Sequence, residues 1–375
     1  MPGFVRRAGR ACLVATLLCL GAAAVPVASA ATVEPGAHAL LAHQSSPATM
    51  PAAAGAGWIA RDLSPSGALV DAISHKPSAG DTADAILALV AAGDGSAQVK
   101  DATQWLEHNF SPYISGKGRD NPGALGLVVL AAVAAGADPT RFGGEAGAND
   151  LVARLLATEH PSGAFAGLFG TTSSQNAFSQ SFALLALVAA KGPSNAIRLG
   201  EAYLGRRQCA DGGWQYSLTT PCAKADPKTY AGPDTNSTAL AVMAVVAAGG
   251  QFARAPLAFF TGSQEADGSF GYYGVSGDGQ RGDPDSTAEV VQALIALRAI
   301  NDKQFVRDAI TPQKALENFQ YGCGAPANEQ GEFAYDAAPS QYATLQAVPA
   351  VAGEALPIGP RSLSSAEPSL RCRAG

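Results

Sequence analysis

Two stretches of the chain share a run of short polar residues that could do chemistry. They are Asp234-Thr-Asn-Ser-Thr-Ala239 and Asp283-Pro-Asp-Ser-Thr-Ala288. A carboxyl group in an apolar site keeps its proton near neutral pH and can then act as a general acid. Asp285, with Asp283 beside it, is the candidate for that role. Because the pattern occurs twice, an architectural role is the stronger interpretation.

The first residue of each stretch also suits the start of a helix. Short side-chain oxygens accept hydrogen bonds from the exposed N–H groups of a helix N-terminus. The residues that we predict to do this are Asn121, Asn176, Asp234 and Asp283. If these helices run parallel, their positive ends meet at one mouth, which would favour an anionic or polar ligand.

A polar and aromatic mouth is the binding site that the sequence favours. Its predicted residues are Gln180, Asp234, Asp283, Asp285, Tyr272, Tyr273 and Tyr342. Packing of loops and interfaces explains the same residues about equally well. The main hypothesis is a non-catalytic protein that binds a small or extended ligand, such as a polymer, or a partner protein at this mouth.

Metal and nucleotide chemistry are disfavoured. No His follows His160 and no CxxC occurs, so zinc lacks a ligand set. Segment 278–289 fails as a calcium loop because Asp283 stands where glycine is required. No phosphate-binding G-x-x-x-x-G-K and no G-x-S-x-G is present. We predict no metal and no cofactor, and the formal charge of −6 argues against a nucleic-acid partner.

Six small-residue-rich apolar helices must position these residues, and they recur at intervals of roughly 50 residues. The predicted helices are 81–92, Ala124–Ala135, Ser179–Ala190, Ser237–Ala248, Ser286–Leu297 and Ser340–Val351. Being apolar on all sides, they should be buried on all sides. More amphipathic segments lie between them, at Ala97–His108, Asn149–Glu159, Asn195–Arg207, Arg254–Gln264 and Phe305–Phe319. The sequence therefore predicts an all-α fold, an (α/α)6 toroid of six helical hairpins over residues 58–353.

Glycine-rich loops connect the outer helices to the inner ones. The two clearest are Gln208–Trp214 and Gln264–Phe270. Glycine is expected to end the outer helix in a left-handed cap, the aromatic ring to pack between units, and the glutamine to bond orphan backbone groups. These loops account for part of the 42 glycines.

The Q-x-x-D-G-G-W of Gln208–Trp214 resembles the repeat motif of the prenyltransferase and squalene-oxidase superfamily, which includes terpene cyclases, protein prenyltransferases and cobalamin carriers. Asp283–Ala288 is similar to the D-x-D-D-T-A of class II terpene cyclases, whose middle Asp protonates an alkene or epoxide. That implies Asp285 as the acid, although Ser286 replaces the last Asp. A terpene cyclase using Asp285 is thus the enzyme alternative, and a structural or cell-surface interaction module is the third hypothesis.

The chain also looks like the secreted, single-toroid cobalamin carriers of this superfamily. The resemblance implies a ligand at the toroid mouth, with cobalamin as a possible one. Carriers clamp their ligand with a following β-rich domain, and Pro357–Gly375 is too short to form it.

The ends of the chain predict export. Residues 1–30 have a basic start, a short apolar run and a small-residue cleavage site, as a signal peptide does. Residues 31–57 are interpreted as a flexible lead-in rich in Ala, Pro and Ser, and residues 354–375 as a tail. We expect a secreted monomer without a membrane span.

Four cysteines remain after the signal peptide is removed: Cys209, Cys222, Cys323 and Cys372. In an exported protein they indicate two disulfides, for which three pairings are possible. We favour Cys209–Cys222, which closes a short loop, and Cys323–Cys372, which ties down the tail.

Overall fold

The computed structural model describes residues 50–116, 118–143, 149–173, 175–273 and 281–364. The predicted signal peptide, most of the predicted lead-in and Cys372 lie outside these residues. The described part of the chain has no helix that is both long and apolar enough to cross a membrane.

The described residues are almost entirely helical. Their α-helices are α1 Met50–Asp62, α2 Ala79–Ala92, α3 Ser96–Asn109, α4 Ser111–Ile114, α5 Pro122–Ala134, α6 Leu151–Leu156, α7 Ala177–Ala189, α8 Ser194–Gly205, α9 Thr235–Ala247, α10 Pro256–Ser263, α11 Pro284–Ala296, α12 Pro312–Glu317 and α13 Gln341–Val351. Two short 3-10 turns cover Gly163–Phe165 and Lys303–Phe305. The strands are β1 Ser115–Gly116, β2 Arg119–Asp120, β3 Trp214–Gln215, β4 Pro233–Asp234, β5 Phe333–Tyr335 and β6 Ala338–Ser340, paired antiparallel as β1–β2, β3–β4 and β5–β6.

Six helices form a closed inner ring. In the order α2, α5, α7, α9, α11, α13 each packs against the next, and α13 packs back against α2. Their Ala, Val and Leu side chains are buried on all sides, as the sequence predicts. The fold is therefore the predicted (α/α)6 toroid, and all six inner helices are where the sequence places them.

The outer ring contains one helix more than the five amphipathic segments predict. Helix α1 packs against both α2 and α13 and so supplies the outer helix of the first hairpin. It extends across the boundary predicted between residues 57 and 58, and Ala52 and Ala54 are buried. Its small residues allow a close approach, since a Cβ at Gly55 would lie 2.4 Å from Cγ2 of Val348. Small residues that resemble a linker in the sequence are here a packing surface.

The predicted glutamine and aromatic contacts of the connecting loops are present. The Gln208 amide donates to the carbonyls of Gly212 and Arg254, both at 2.9 Å. The Trp214 indole is buried and donates to the Leu204 carbonyl at 2.9 Å. Gly212 has the expected left-handed backbone, with φ +92°. The prediction that this glycine ends the outer helix was wrong, however. Helix α8 ends earlier, at Arg206 in the right-handed helical conformation, and Gly212 lies in the turn that follows.

One disulfide lies wholly within the described residues. Cys209 and Cys222 are bonded, with their Cα atoms 5.7 Å apart, which confirms the predicted pairing. Cys323 is disulfide-bonded as well. Its predicted partner, Cys372, falls outside the described residues.

Candidate functional site

All six inner helices begin with a side chain that caps the helix. Asn121, Asn176, Asp234 and Asp283 each accept a hydrogen bond from a backbone N–H one turn into the helix. Ser78 and Ser340 do the same for α2 and α13. The capping role predicted for the four Asn and Asp residues is confirmed. It also gives a common numbering, with the cap as position one of each inner helix.

Position five of most inner helices holds a loop in place. The hydroxyls of Thr82, Thr238, Thr287 and Thr344 each accept a backbone N–H at 2.9 Å from the loop before their own helix. Gln180 occupies this position in α7, where its Oε1 accepts the Phe169 N–H at 3.0 Å and its Nε2 donates to Gly167 O at 2.8 Å. Gln180 is also buried, so its contacts place it in the architecture and not at the predicted binding mouth.

Positions three and seven lie one turn apart on the same face of each helix. The pairs are Gly80 and Asp84, Gly123 and Leu127, Phe178 and Phe182, Asn236 and Leu240, Asp285 and Glu289, and Tyr342 and Gln346. Two helices, α11 and α2, therefore contribute all the acidic side chains at these positions, and α13 packs between them. The carboxyl groups of Asp84, Asp285 and Glu289 form what we name the central carboxyl cluster.

Among the predicted site residues, Asp285 has the properties that best suit a general acid. Burial, with a smaller contribution from the charge of Asp283, raises the pKa of Asp285 to about 7. Its Oδ1 has no hydrogen-bond partner among the described residues. Asp283 differs, because both its oxygens bind Ser286, through the backbone N–H at 2.7 Å and the hydroxyl at 2.9 Å. Asp285 is thus the free carboxyl of the pair.

The other two members of the cluster were missed by the sequence reasoning. Burial raises the pKa of Glu289 to about 8, with further contributions from the charges of Asp84 and Asp285. Burial also raises the pKa of Asp84 to about 8, assisted by Asp81. The missed signal was an acid at position seven of an otherwise apolar helix. At neutral pH the central carboxyl cluster holds protons that ordinary carboxyls would have lost.

Tyr342 stands beside this cluster, on α13. The pKa of its hydroxyl lies well above the usual range. The surrounding protein desolvates the hydroxyl, and the negative charges of Asp285 and Asp84 further disfavour its ionisation. The Gln346 amide donates to this hydroxyl at 2.8 Å. Tyr342 and Asp285 therefore lie within electrostatic range of each other.

A cavity of about 1200 Å³ opens next to Asp285 at the rim of the toroid. We name it the rim groove. Its lining residues are Tyr230, Asn236, Tyr272, Tyr273, Arg281, Gly282, Asp283, Pro284, Asp285, Ser286, Asn318, Phe319, Gln320, Tyr321, Ala334, Tyr335, Asp336 and Ala337. Of the predicted binding residues, Tyr272, Tyr273, Asp283 and Asp285 line it. Tyr342 and Gln180 do not.

Asp234 lies just behind the groove. It is 1% exposed and hydrogen-bonds both the start of α9 and the Tyr272 hydroxyl. Burial raises the pKa of Asp234 to about 7. Asp234 thus positions Tyr272 and the helix, and it is not itself open to a ligand.

Within the described residues no group of three or more His, Cys, Asp or Glu side chains could hold a metal ion.

No protein-family model matches the chain, and no curated protein matches it in sequence. Several solved structures share its fold. The type II terpene cyclase MstE from Scytonema, without ligand, is 14% identical with a TM-score of 0.53, over 80% of this chain and 96% of that chain. A variant of the same cyclase in complex with its product, merosterolic acid A, has a TM-score of 0.51 at 14% identity, over 81% of this chain and 95% of that chain.

A third solved structure carries a different activity. It is a novel α-amylase from Clostridium perfringens, 12% identical with a TM-score of 0.54, over 81% of this chain and 98% of that chain. At such identities the likeness concerns the fold alone. The chain has the α/α toroid that terpene cyclases of type II adopt, and the same toroid also supports other chemistry.

Proposed function

We propose that this chain is a terpene cyclase-like enzyme in which Asp285 protonates an unsaturated isoprenoid. The observation that carries the proposal is the state of Asp285, a carboxyl with a raised pKa, an unpartnered Oδ1 and a face on a cavity. A general acid must hold its proton at the working pH and reach the atom that receives it.

For this reaction the protein must supply a proton to the double bond and aromatic rings that stabilise the resulting carbocation. The O–H bond of Asp285 breaks as a C–H bond forms at one carbon of a double bond, which leaves a carbocation at the other carbon. Aromatic ring faces attract cations. Tyr335 lines the same groove as Asp285, lies within electrostatic range of it and is suited to this role.

Other carboxyl groups of this chain can replace the last Asp of the D-x-D-D motif, which is Ser286 here. Ser286 is committed to Asp283 and takes no part in the acid site. Glu289, one turn after Asp285, supplies the second carboxyl in its place, and Asp84 supplies a third. With pKa values near 8, these two retain protons that can return to Asp285 after each turnover.

The test is product formation from linear isoprenoids. The protein without residues 1–30 is incubated with squalene and with geranylgeranyl diphosphate, and extracts are analysed by gas chromatography and mass spectrometry. We expect a cyclic product whose rate falls by about 10²-fold or more in Asp285→Asn, the range for loss of a general acid. Asp336→Asn, at a carboxyl in the same groove, is the matched control and should retain activity. No product from either substrate, or equal activity in both variants, contradicts the proposal.

A second candidate is binding without chemistry, and the large open rim groove favours it. Native mass spectrometry of protein recovered from its host should then show a retained ligand, and cobalamin is one compound to titrate. Repeatedly empty protein that does not bind cobalamin would instead favour an interaction module. Either function fits export by residues 1–30, which we propose from the sequence and which suits the Cys209–Cys222 disulfide.

A further inference from the structure

A series of aromatic rings follows the rim of the toroid. In spatial order it comprises Phe178, Tyr216, Tyr272, Tyr273, Tyr230 and Tyr335, and we name it the rim aromatic row. Three ring-centroid distances are 5.6 Å for Phe178–Tyr216, 4.8 Å for Tyr272–Tyr273 and 6.0 Å for Tyr230–Tyr273. Tyr216 and Tyr272 are electrostatic neighbours, as are Tyr230 and Tyr335, which places the measured ring pairs near one another.

Half of this row is open to solvent. Tyr216 is 51% exposed, Tyr230 68% and Tyr335 43%. Large aromatic residues usually contribute to stability by being buried, so the exposed rings of Tyr230 and Tyr335 on one groove, with Tyr216 further along the row, favour a binding surface. Other large exposed apolar side chains of the described residues, such as Ile73 and Phe165, lie outside this groove.

Unused polar groups lie beside the rings. Within the described residues the side chains of Asn318 and Asp336 make no hydrogen bond, although both line the groove. Asn236 accepts one bond from Thr235, at 3.1 Å, and its amide N–H groups stay available. The phenol hydroxyls of Tyr230 and Tyr335 add further donors at the open edge. The groove thus combines flat apolar faces with hydrogen-bonding groups around them.

The electrical charge of the groove is small. Asp283 is held by Ser286 in its capping role, and Asp285 retains much of its proton near neutral pH. The charged groups that remain in the lining are the cation Arg281 and the carboxylates of Asp283 and Asp336, so the charges largely offset one another. A strongly cationic or anionic ligand would therefore gain little here, and an uncharged one is favoured.

We propose that the rim groove binds an uncharged oligosaccharide chain along the rim aromatic row. A sugar ring has one apolar C–H face that packs on an aromatic ring and an edge of hydroxyls that needs amides and carboxylates. The cavity of about 1200 Å³ exceeds the usual small-molecule pocket of about 300–1000 Å³ and suits a ligand of several units. A single quaternary ammonium group would need rings grouped around one centre and not a row.

The proposal does not depend on acid catalysis by Asp285. Binding is measured by isothermal titration with maltohexaose, cellohexaose, xylohexaose and chitohexaose. We expect saturable binding of at least one of them. Tyr230→Ala and Tyr335→Ala should each weaken it about tenfold, the loss expected for one aromatic contact.

Matched variants separate binding from folding. Tyr230→Phe keeps the ring and should bind nearly as the unchanged chain does, while Phe165→Ala removes an exposed aromatic ring outside the row and should have no effect. The titration requires no product formation, so a failed cyclase assay and a failed binding assay are distinguishable. The proposal is overturned if none of the four saccharides binds, if Tyr230→Ala binds as well as Phe165→Ala, or if choline binds in the groove and the saccharides do not.

Discussion

The starts of α9 and α11 are nearly the same sequence used in two ways. In both, the first Asp caps the helix and accepts a backbone N–H at 2.7 Å. In both, a threonine at position five holds the preceding loop, Thr238 on Trp214 and Thr287 on Phe270. These shared residues are architectural, and they explain why the pattern repeats around the ring.

The two helices differ at positions three and seven. Helix α9 has Asn236 and Leu240, whereas α11 has Asp285 and Glu289. Leu240 is fully buried among apolar neighbours, but Glu289 is buried with an unpartnered Oε2 next to other carboxyls. Burying an unpaired polar group costs stability, so the acids of α11 need a reason that packing does not give. The deviation from the repeat, and not the repeat itself, therefore marks the candidate site.

The largest effect on stability should come from the shared threonines. Each accepts a buried backbone N–H and lies near the carbonyl of the same residue, at 3.3 Å for Thr238 and 3.2 Å for Thr287. Valine has the same shape without the hydroxyl. We therefore expect Thr238→Val and Thr287→Val each to lower the free energy of unfolding by about 1–3 kcal/mol, by similar amounts. Urea denaturation followed by circular dichroism measures both.

Thr103→Val is the matched control for these variants. Its hydroxyl bonds only the Val99 carbonyl of its own outer helix, so the loss should stay within about 0.5 kcal/mol. A large loss in one repeat and none in the other would show that the two helix starts are not equivalent, and the comparison of α9 with α11 would fail.

The sequence predicted the ring well because its inner helices are apolar on every side. Ala124–Ala135, for example, corresponds to the observed Pro122–Ala134 within two residues. Helix α1 was missed because its Ala and Gly residues form no amphipathic stripe, and only contact with α13 reveals its role. The site was harder to predict. Asp84 and Glu289 are about 200 residues apart in sequence, and their proximity follows from closure of the ring, which no local pattern encodes.

The acids of the central carboxyl cluster should make stability depend on pH. An unfolded Glu or Asp loses its proton near pH 4, whereas burial raises the pKa of Glu289 and Asp84 to about 8 and that of Asp285 to about 7. Between these values the folded chain binds more protons than the unfolded chain. The free energy of unfolding therefore falls as pH rises from about 4 to about 8, by at most about 1.4 kcal/mol per pH unit for each proton.

Glu289→Gln tests this dependence directly. The amide keeps the shape of the side chain and has no proton to lose, so the fall in unfolding free energy between pH 5 and pH 8 should be smaller than in the unchanged chain. Leu240→Met, at the equivalent position of α9, is the control and should leave the pH dependence unchanged. An identical pH profile in Glu289→Gln would mean that the cluster does not hold its protons in the folded state.

The smallest effect on stability should follow from placing the position-three residue of α11, an aspartate, at position three of α9. Asn236→Asp places a carboxyl at position three of a helix whose position seven is Leu240, with no second acid one turn away. Because Asn236 is half-buried on the open groove, the free energy of unfolding should change by about 0.5 kcal/mol or less. Combined with Asp285→Asn, it should also fail to restore product formation, since an isolated carboxyl on the groove loses its proton at neutral pH. Recovery of activity in the double variant would mean that any acid at the rim suffices, and that the central carboxyl cluster has no special role.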